Sequence, residues 1–214
     1  MLAERAAWAF GLAALAIWGV VNLAGVEGTR EDLARFAALR HARLQQRGVL
    51  RETPAPDVTE WDLKRVREWR AVLKQPAPPP LAILRISKIH LEVGVLPGTD
   101  EFVLNRGVGH IEDTARPGTE GNCGIAGHRD GFFRGLKDIA LGDAIELETL
   151  DGRQMYHVER TWIVDPEDVS VLDPTPVRSL TLVTCYPFYF IGSAPQRFIV
   201  RAVAAEGRIP VARH

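Results

Sequence analysis

The sequence predicts an all-β domain, a barrel or a sandwich, that begins near residue 81 and follows a helical N-terminal region. After residue 81, short β-prone runs recur between turn signals, as is typical of barrels and sandwiches. Only one short helix is expected among them, around residues 100–105. Before them, the segment QPAPPP at residues 75–80 cannot continue a helix and marks the domain boundary. The eight runs are LAILRI, IHLEVGVL, RGVGHI, NCGIAGH, DAIELETL, QMYHVERTWIV, SLTLVTC and QRFIVRAVA.

The N-terminus carries a long apolar segment. Residues 6–26 contain no charged side chain, and as a helix they would extend roughly 31 Å, about one hydrocarbon core. We therefore predict an uncleaved transmembrane anchor at residues 1–27. A cleaved signal peptide is the alternative, but its apolar region is usually shorter, and a small-x-small cleavage site is poor around residues 22–25. Arginines on both sides of the segment leave its orientation undecided by charge.

Residues 28–80 form a charged, helix-prone juxtamembrane segment. A first helix is predicted over residues 30–47 and a second over residues 59–74, with Thr59 as its N-cap and Asp62 three residues on. The second helix has an apolar stripe at helical spacing, which we expect to pack on the domain or on a partner helix. The stripe consists of Val66, Trp69 and Leu73.

The charge balance excludes some classes of partner. The formal net charge is -1, so no global field favours nucleic acid or anionic lipid. No histidine or cysteine spacing is typical of a zinc site, and no glycine-rich segment has the context of a phosphate-binding loop.

Three chemically active side chains fall at predicted strand ends. Strand alternation places Cys185, His128 and Arg197 each on the face turned away from the interior. A thiolate is a nucleophile that nearby cations help to generate. Attack on an amide creates an oxyanion that Arg197 is suited to stabilise, and His128 is the natural proton donor to the leaving amine. Taken singly, each residue also fits a structural role: a buried cysteine, a surface or capping histidine, a solvated arginine.

The sequence around these residues resembles that of the sortase family, most closely its class D branch. GNCGIAGHRDGFFRGL is followed far downstream by TLVTCYPFYFIGSAPQRFIVRA, so that a TLxTC motif, an upstream GHR and an arginine 12 residues after the cysteine occur in order. The resemblance extends over residues 81–203, including GTDEFVLNRGVGHIEDTARPG and IVDPEDVSVLDPTP.

This resemblance implies an eight-stranded sortase-type β-barrel at residues 81–205, with a short tail at residues 206–214. It implies that Cys185 is the acyl-forming nucleophile, His128 the proton donor and acceptor, and Arg197 the stabiliser of the transition state. Sortases cleave an LPxTG-like sorting motif through a thioester and transfer the acyl group to an amine, such as that of a peptidoglycan precursor or a pilin lysine.

The resemblance also implies a location and a set of partners. The protein is expected at the bacterial cytoplasmic membrane as a single-pass protein with its catalytic domain outside. Its substrates would be exported proteins with a C-terminal sorting signal.

The loop at residues 164–174 lies between two predicted strands and contains both apolar and acidic side chains. By analogy with the family, Val169 and Leu172, together with Thr184, are candidate substrate-binding residues. Some sortases bind calcium in the corresponding loop. Here the acidic residues lack EF-hand spacing and are typical of a solvated loop, so we expect no cofactor, with calcium as the alternative. The acids are Asp165, Glu167, Asp168 and Asp173.

Two further residues receive structural interpretations. Cys123 has the opposite strand parity to His128, so it is expected to face the core. In the strand arrangement that the resemblance implies, it lies too far from Cys185 for a disulfide, so both thiols are expected to be free. His110 is interpreted as a structural hydrogen-bonding residue.

Two other functions remain open at this point. The first is another wall-directed cysteine peptidase or transpeptidase, although neither an SHGC-type signature nor a papain-like order of Cys before His is present. The second is a non-catalytic anchored barrel that only binds sorting peptides. The presence of His128, Cys185 and Arg197 together argues against it.

Overall fold

The domain is a closed barrel of eight strands. The computed structural model describes residues 34–36, 56, 58–59, 61–189 and 194–205. Around the barrel the strands lie in the order β1-β2-β3-β4-β7-β8-β6-β5, and each of the eight predicted runs overlaps one of them. The strands are β1 (Ala82–Ile86), β2 (Leu91–Pro97), β3 (Val108–His110), β4 (Asn122–Ala126), β5 (Ala144–Thr149), β6 (Gly152–Val164), β7 (Ser179–Tyr186) and β8 (Gln196–Ala204).

Two α-helices accompany the described strands. Helix α1 (Leu63–Leu73) precedes the barrel, and helix α2 (Glu101–Arg106) is the short helix predicted near residues 100–105. The Asp100 side chain caps α2 by accepting a hydrogen bond from the Val103 amide at 2.8 Å. The sequence did not predict three 3-10 helices, because a single turn carries too few residues for a periodic pattern. They lie at Ser87–Ile89, Arg134–Asp138 and Val169–Leu172.

The predicted start of α1 was wrong. Asp62, and not Thr59, is the N-cap, and its carboxylate accepts a hydrogen bond from the Arg65 amide at 2.8 Å. The preceding residue, Trp61, packs edge-on against Trp69, with ring centroids 5.8 Å apart. This contact fixes the direction in which the chain enters the helix, so the helix begins at Leu63.

The apolar stripe of α1 packs on the barrel core, as predicted. Val66 and Trp69 are buried in the main hydrophobic cluster, and Trp69 is only 1% exposed. The C-terminal end of α1 is held by the Arg106 side chain, which donates to the carbonyl oxygens of Val72 at 3.1 Å and Gln75 at 3.4 Å. Helix α1 is therefore attached both to the core and to the last residue of α2.

Several predicted segments lie outside the described residues. These are the anchor at residues 1–27, most of the first juxtamembrane helix and the tail at residues 206–214. Residues 34–36 are helical, and Arg35 Nη1 donates to the carbonyl oxygen of Ala77 at 3.1 Å. Among the described helices, none has the length and apolar character required to cross a membrane.

Strand β7 contributes alternate side chains to the barrel core, and one of them tests the architecture. Leu182→Ala should lower the free energy of unfolding by about 2–5 kcal/mol, because Leu182 is fully buried and its removal leaves a cavity. Leu141 is 68% exposed, so Leu141→Ala is the control and should change that free energy by no more than about 0.5 kcal/mol. Urea unfolding of both variants is the measurement, and equal effects would contradict the assigned register of β7.

Candidate active site

Cys185 and Arg197 face each other across neighbouring strands. Strands β7 and β8 are antiparallel, and Cys185 lies directly opposite Arg197 in their register. Directly opposed residues of antiparallel strands have Cβ atoms about 4.5–5.5 Å apart and project from the same face. Leu180 and Leu182 of β7 are fully buried in the core, while Cys185 is partly exposed. Cys185 therefore lies on the outer face, in direct register with Arg197.

His128 reaches the same place from the other side of β7. Strand β4 runs parallel to β7, with Ala126 paired to Val183. Beyond the strand end, the Gly127 amide donates to the Val183 carbonyl at 3.1 Å, and the Thr184 hydroxyl donates to the Gly127 carbonyl at 2.7 Å. Continuing the register of Ala126 and Val183 by two residues places His128 beside Cys185. The structure thus brings the three predicted catalytic residues together at one end of β4, β7 and β8.

The loop after His128 is tightly packed. The amides of Gly131 and Phe133 both donate to the His128 carbonyl, at 3.1 and 3.2 Å. The Phe133 ring lies against Gly127, where a Cβ atom would come within 2.7 Å of it. Glycine is therefore required at position 127 because the aromatic ring occupies the space of any side chain.

The same loop is bonded to the chain that follows Cys185. Arg129 Nη1 donates to the Pro187 carbonyl at 2.9 Å, and Arg134 Nη1 donates to the Phe188 carbonyl at 3.1 Å. These bonds connect the segments after His128 and after Cys185 where strand pairing has ended. They fasten the loop that begins at His128 to the segment that follows Cys185.

The His128 side chain is largely shielded from solvent and lies near several charged groups. It is 18% exposed, and Nε2 lies 3.9 Å from Glu101 Oε1, beyond hydrogen-bond distance. Within the described residues this nitrogen has no hydrogen-bond partner. Burial is the main cause that lowers the pKa of His128, and the positive charge of Arg65 lowers it further. The neutral imidazole is thereby favoured, although carboxylates nearby, Glu101 first among them, partly oppose the effect.

Arg197 is held by backbone oxygens. Its Nη1 donates to the carbonyls of Gln196 at 3.1 Å and Ala194 at 3.4 Å. In the part of the chain that the structure describes, Arg197 forms no ion pair. Because a guanidinium carries five donors, others remain for an oxyanion.

The candidate substrate-binding residues are dispersed. Leu172 is half-buried and lies over Gly124, whose Cβ, if present, would come within 3.0 Å of it, while Val169 is exposed. The 3-10 helix that carries both is fastened by Asn122 Nδ2, which donates to the Val171 carbonyl at 3.1 Å. Thr184 is 2% exposed and points away from the face of Cys185. Its described contact is structural, and its role in substrate binding stays a prediction, as do those of Leu172 and Val169.

The remaining sequence-predicted residues have structural surroundings. Cys123 and Cys185 are both free, and burial raises the pKa of the Cys123 thiol to about 12. His110 is buried and its Nε2 contacts the carbonyl of Ala115 at 3.0 Å, as its structural interpretation predicted. Among the described residues no group of three or more His, Cys, Asp or Glu is arranged to hold a metal, and Asp168 caps the 3-10 helix at Val169–Leu172.

Sequence reasoning missed two residues around His128. Glu101 and Arg65 lie far from it in the chain and match no catalytic spacing. The sequence signalled Glu101 only as part of the short helix predicted near residues 100–105. It signalled Arg65 only as a neighbour of the apolar stripe of the helix predicted at residues 59–74. Asp130, two residues after His128, accepts a hydrogen bond from Arg65, with 3.2 Å between Oδ1 and Nε.

The lowered pKa of His128 predicts a pH dependence of stability. Above an unfolded-state pKa of about 6.5, His128 is neutral in both states. As the pH falls through that value, the unfolded chain binds the proton first, so the fold loses stability down to the lower folded pKa. His128→Asn should remove this part of the acid loss, measured by urea unfolding between neutral and acidic pH.

The control for that measurement is His90→Asn. His90 is exposed and has a φ of 53°, a conformation that Asn adopts readily. It should keep the acid loss of the parent protein. Equal acid loss in the parent and in His128→Asn would contradict the assigned burial of the imidazole.

Comparison with known proteins gives a consistent result. The chain is 39% identical over 119 residues to Sortase D of Bacillus subtilis, covering 55% of this chain and 60% of the relative. A Clostridium perfringens Sortase D5 transpeptidase has a similar structure, with a TM-score of 0.55, 30% identity and coverage of 65% of this chain and 88% of that one. Sortase E1 of Streptomyces coelicolor, solved with a tripeptide in its active site, gives a TM-score of 0.55 at 33% identity, with coverage of 60% and 90%. The chain spans only 60% of the length of the Bacillus subtilis relative.

A family model also covers the strands that carry the site. The family model described as the sortase domain matches residues 84–205, which contain His128, Cys185 and Arg197 and more than half of the 214 residues. The family match agrees with the eight-stranded barrel and with the motifs around His128, Cys185 and Arg197. The chain therefore belongs to the sortase family.

Proposed function

We propose that this protein is a cysteine transpeptidase that cleaves an LPxTG-like sorting motif and transfers the acyl group to an amine. One observation carries the proposal: β7 pairs with β8 and β4 in registers that set Cys185 between Arg197 and His128 on an outer face. The three side chains are the nucleophile, the oxyanion stabiliser and the proton carrier that acyl transfer from an amide requires.

The first step is the formation of a thioester. The Cys185 sulfur, as thiolate, attacks the carbonyl carbon of the scissile Thr–Gly bond, and the carbonyl oxygen becomes an oxyanion beside the Arg197 guanidinium. The carbon–nitrogen bond then breaks, and protonated His128 gives its proton to the leaving amine. The products are a thioester on Cys185, a neutral imidazole and a released peptide with a free amino terminus.

The second step reverses these roles. The acceptor amine attacks the thioester carbon, and His128 takes the proton that the amine loses. Breaking the carbon–sulfur bond restores the Cys185 thiolate and leaves a new amide. In each cycle His128 changes charge twice, while Arg197 keeps its charge throughout.

The proposed location rests on the apolar N-terminal segment and, for its orientation, on the resemblance to sortases. Residues 6–26 would anchor the chain in the bacterial cytoplasmic membrane, residues 28–80 would separate the anchor from the barrel, and the catalytic domain would lie outside. The partners would be exported proteins with a sorting signal and a surface amine, from a peptidoglycan precursor or a pilin lysine. The similarity to Sortase D of Bacillus subtilis supports this proposal at the level of the family.

Intact-protein mass spectrometry tests the thioester directly. Residues 58–214 incubated with an LPxTG-type or LPxTA-type peptide should gain the mass of the acyl fragment, and hydroxylamine should remove it. Cys185→Ala should abolish both the adduct and turnover, because no nucleophile remains. Cys123→Ala is the matched control and should keep the adduct, since Cys123 is buried in the core.

Other results of this experiment distinguish the alternatives. Peptide binding without any adduct would favour a barrel that only binds sorting peptides. An adduct that forms only with a peptide lacking the sorting motif would favour another class of cysteine peptidase. Either result would overturn the proposed function.

Arg197→Gln should slow acylation without weakening peptide binding. Removing one donor to an oxyanion costs about 10²- to 10³-fold in the chemical step. The expected effect is therefore a lower kcat at a nearly unchanged KM, measured by release of the C-terminal peptide fragment. Arg160→Gln on β6 is the control, since Arg160 is exposed and stacks on Trp162. A loss confined to KM would show that Arg197 binds substrate and does not stabilise the transition state.

A further inference from the structure

Helix α1, which precedes the barrel, carries an arginine into the surroundings of His128. The Arg65 side chain is 13% exposed, and its Nε lies 3.2 Å from Asp130 Oδ1, two residues after His128. Its Nη1 donates to Asn105 Oδ1 of α2 and lies 3.3 Å from Glu68 Oε2. A half-buried guanidinium with this many partners occupies a defined position and is not a solvated surface charge.

Glu101 lies between Arg65 and His128. Its Oε1 is 3.9 Å from Arg65 Nη1 and also 3.9 Å from His128 Nε2. Asn105 Nδ2 donates to the same oxygen at 3.1 Å, which orients the carboxylate. One carboxylate is therefore shared by a permanent cation and a group that becomes a cation only when it is protonated.

The charged groups around His128 come from every element packed near it. The pKa of His128 is lowered mainly by burial and also by the cation of Arg65, and it is raised by the carboxylates of Glu101, Asp130 and Glu68. These groups are Arg65 and Glu68 of α1, Glu101 of α2, Asp130 and Arg129 of the His128 loop, and Cys185 and Arg197 of β7 and β8.

We propose that Arg65 is a positioning residue of this site, which controls the charge state of His128 in opposition to Glu101. The inference rests on the proposed function, in which His128 carries the proton. It adds a residue outside the barrel to the machinery: docking of α1 brings a positive charge to the imidazole and holds Asp130 and Glu101 in place. The juxtamembrane segment would then influence the reaction without contact with the substrate.

The sign of two substitutions separates this role from a merely structural one. Arg65→Gln removes a cation and frees Glu101 and Asp130 to act on the imidazole, so the pKa of His128 should rise. Glu101→Gln removes the opposing carboxylate, so the pKa of His128 should fall. If Arg65 and Glu101 only held the loop, both substitutions would expose the imidazole and raise its pKa together.

The measurement is an NMR titration of His128 in a Cys185→Ala background, which removes coupling to the thiol. Arg67→Gln is the matched control, because Arg67 is an exposed arginine of α1 whose Nε donates to the Leu63 carbonyl. It should leave the titration unchanged. Arg65→Lys keeps the charge and should hold the pKa of His128 closer to the parent value than Arg65→Gln does.

A second readout uses the reaction itself. In protein that retains Cys185, the pH optimum of thioester formation lies between the pKa values of the thiol and the imidazole, so it should move to higher pH in Arg65→Gln and to lower pH in Glu101→Gln. Shifts in the same direction, or a shift in Arg67→Gln equal to that in Arg65→Gln, would overturn the inference. Failure of the parent protein to form a thioester would overturn the proposed function instead, and the NMR titration needs no activity.

Discussion

The site depends on the position of β7 between one parallel and one antiparallel neighbour. Parallel pairing makes β4 and β7 end at the same edge of the barrel, so His128 and Cys185 leave their strands side by side. Antiparallel pairing makes β8 begin at that edge, which brings Arg197 to the other side of the thiol. A slip of one residue would turn Cys185 toward the core. The full burial of Leu180 and Leu182 opposes such a slip, because it would expose both side chains.

Strand pairing alone cannot hold groups that lie beyond the ends of strands. At this edge the support comes from side chains that bond backbone oxygens across the gap, Arg129 to Pro187 and Arg134 to Phe188. Packing of Phe133 on Gly127 adds a steric constraint, and the rings of Phe188 and Phe198 meet edge-on at 5.3 Å between centroids, close to β8. The barrel sets which residues meet, and these contacts join the segments that follow the strand ends.

Much of the fold and the three central residues could be predicted from the sequence. Each strand is a short β-prone run between turn signals, and parity within β7 already placed Cys185 opposite to the core. The contacts that decide the electrostatics of His128 could not be predicted. Arg65 reaches the site only because α1 packs against α2 and the core, and nothing local in the chain encodes the resulting distance to Glu101. The start of α1 was mistaken for a related reason: Thr59 and Asp62 are both good caps, and the packing of Trp61 on Trp69 and Phe132 selects Asp62.

The proposed reaction needs two different cationic groups near the thiol, one whose charge is constant and one that can release its proton. Arg197 stays charged at every relevant pH, so it can stabilise thiolate and oxyanion but cannot move a proton. His128 must be charged when the amine leaves and neutral when the acceptor amine attacks. Burial and Arg65 favour its neutral form, and Glu101 limits that effect. The charge of the imidazole is thus influenced by groups outside the strands, while Arg197 of β8 supplies a charge that does not change. Glu101, and through it Arg65, accordingly lies next to the group that must change its protonation state in the proposed reaction.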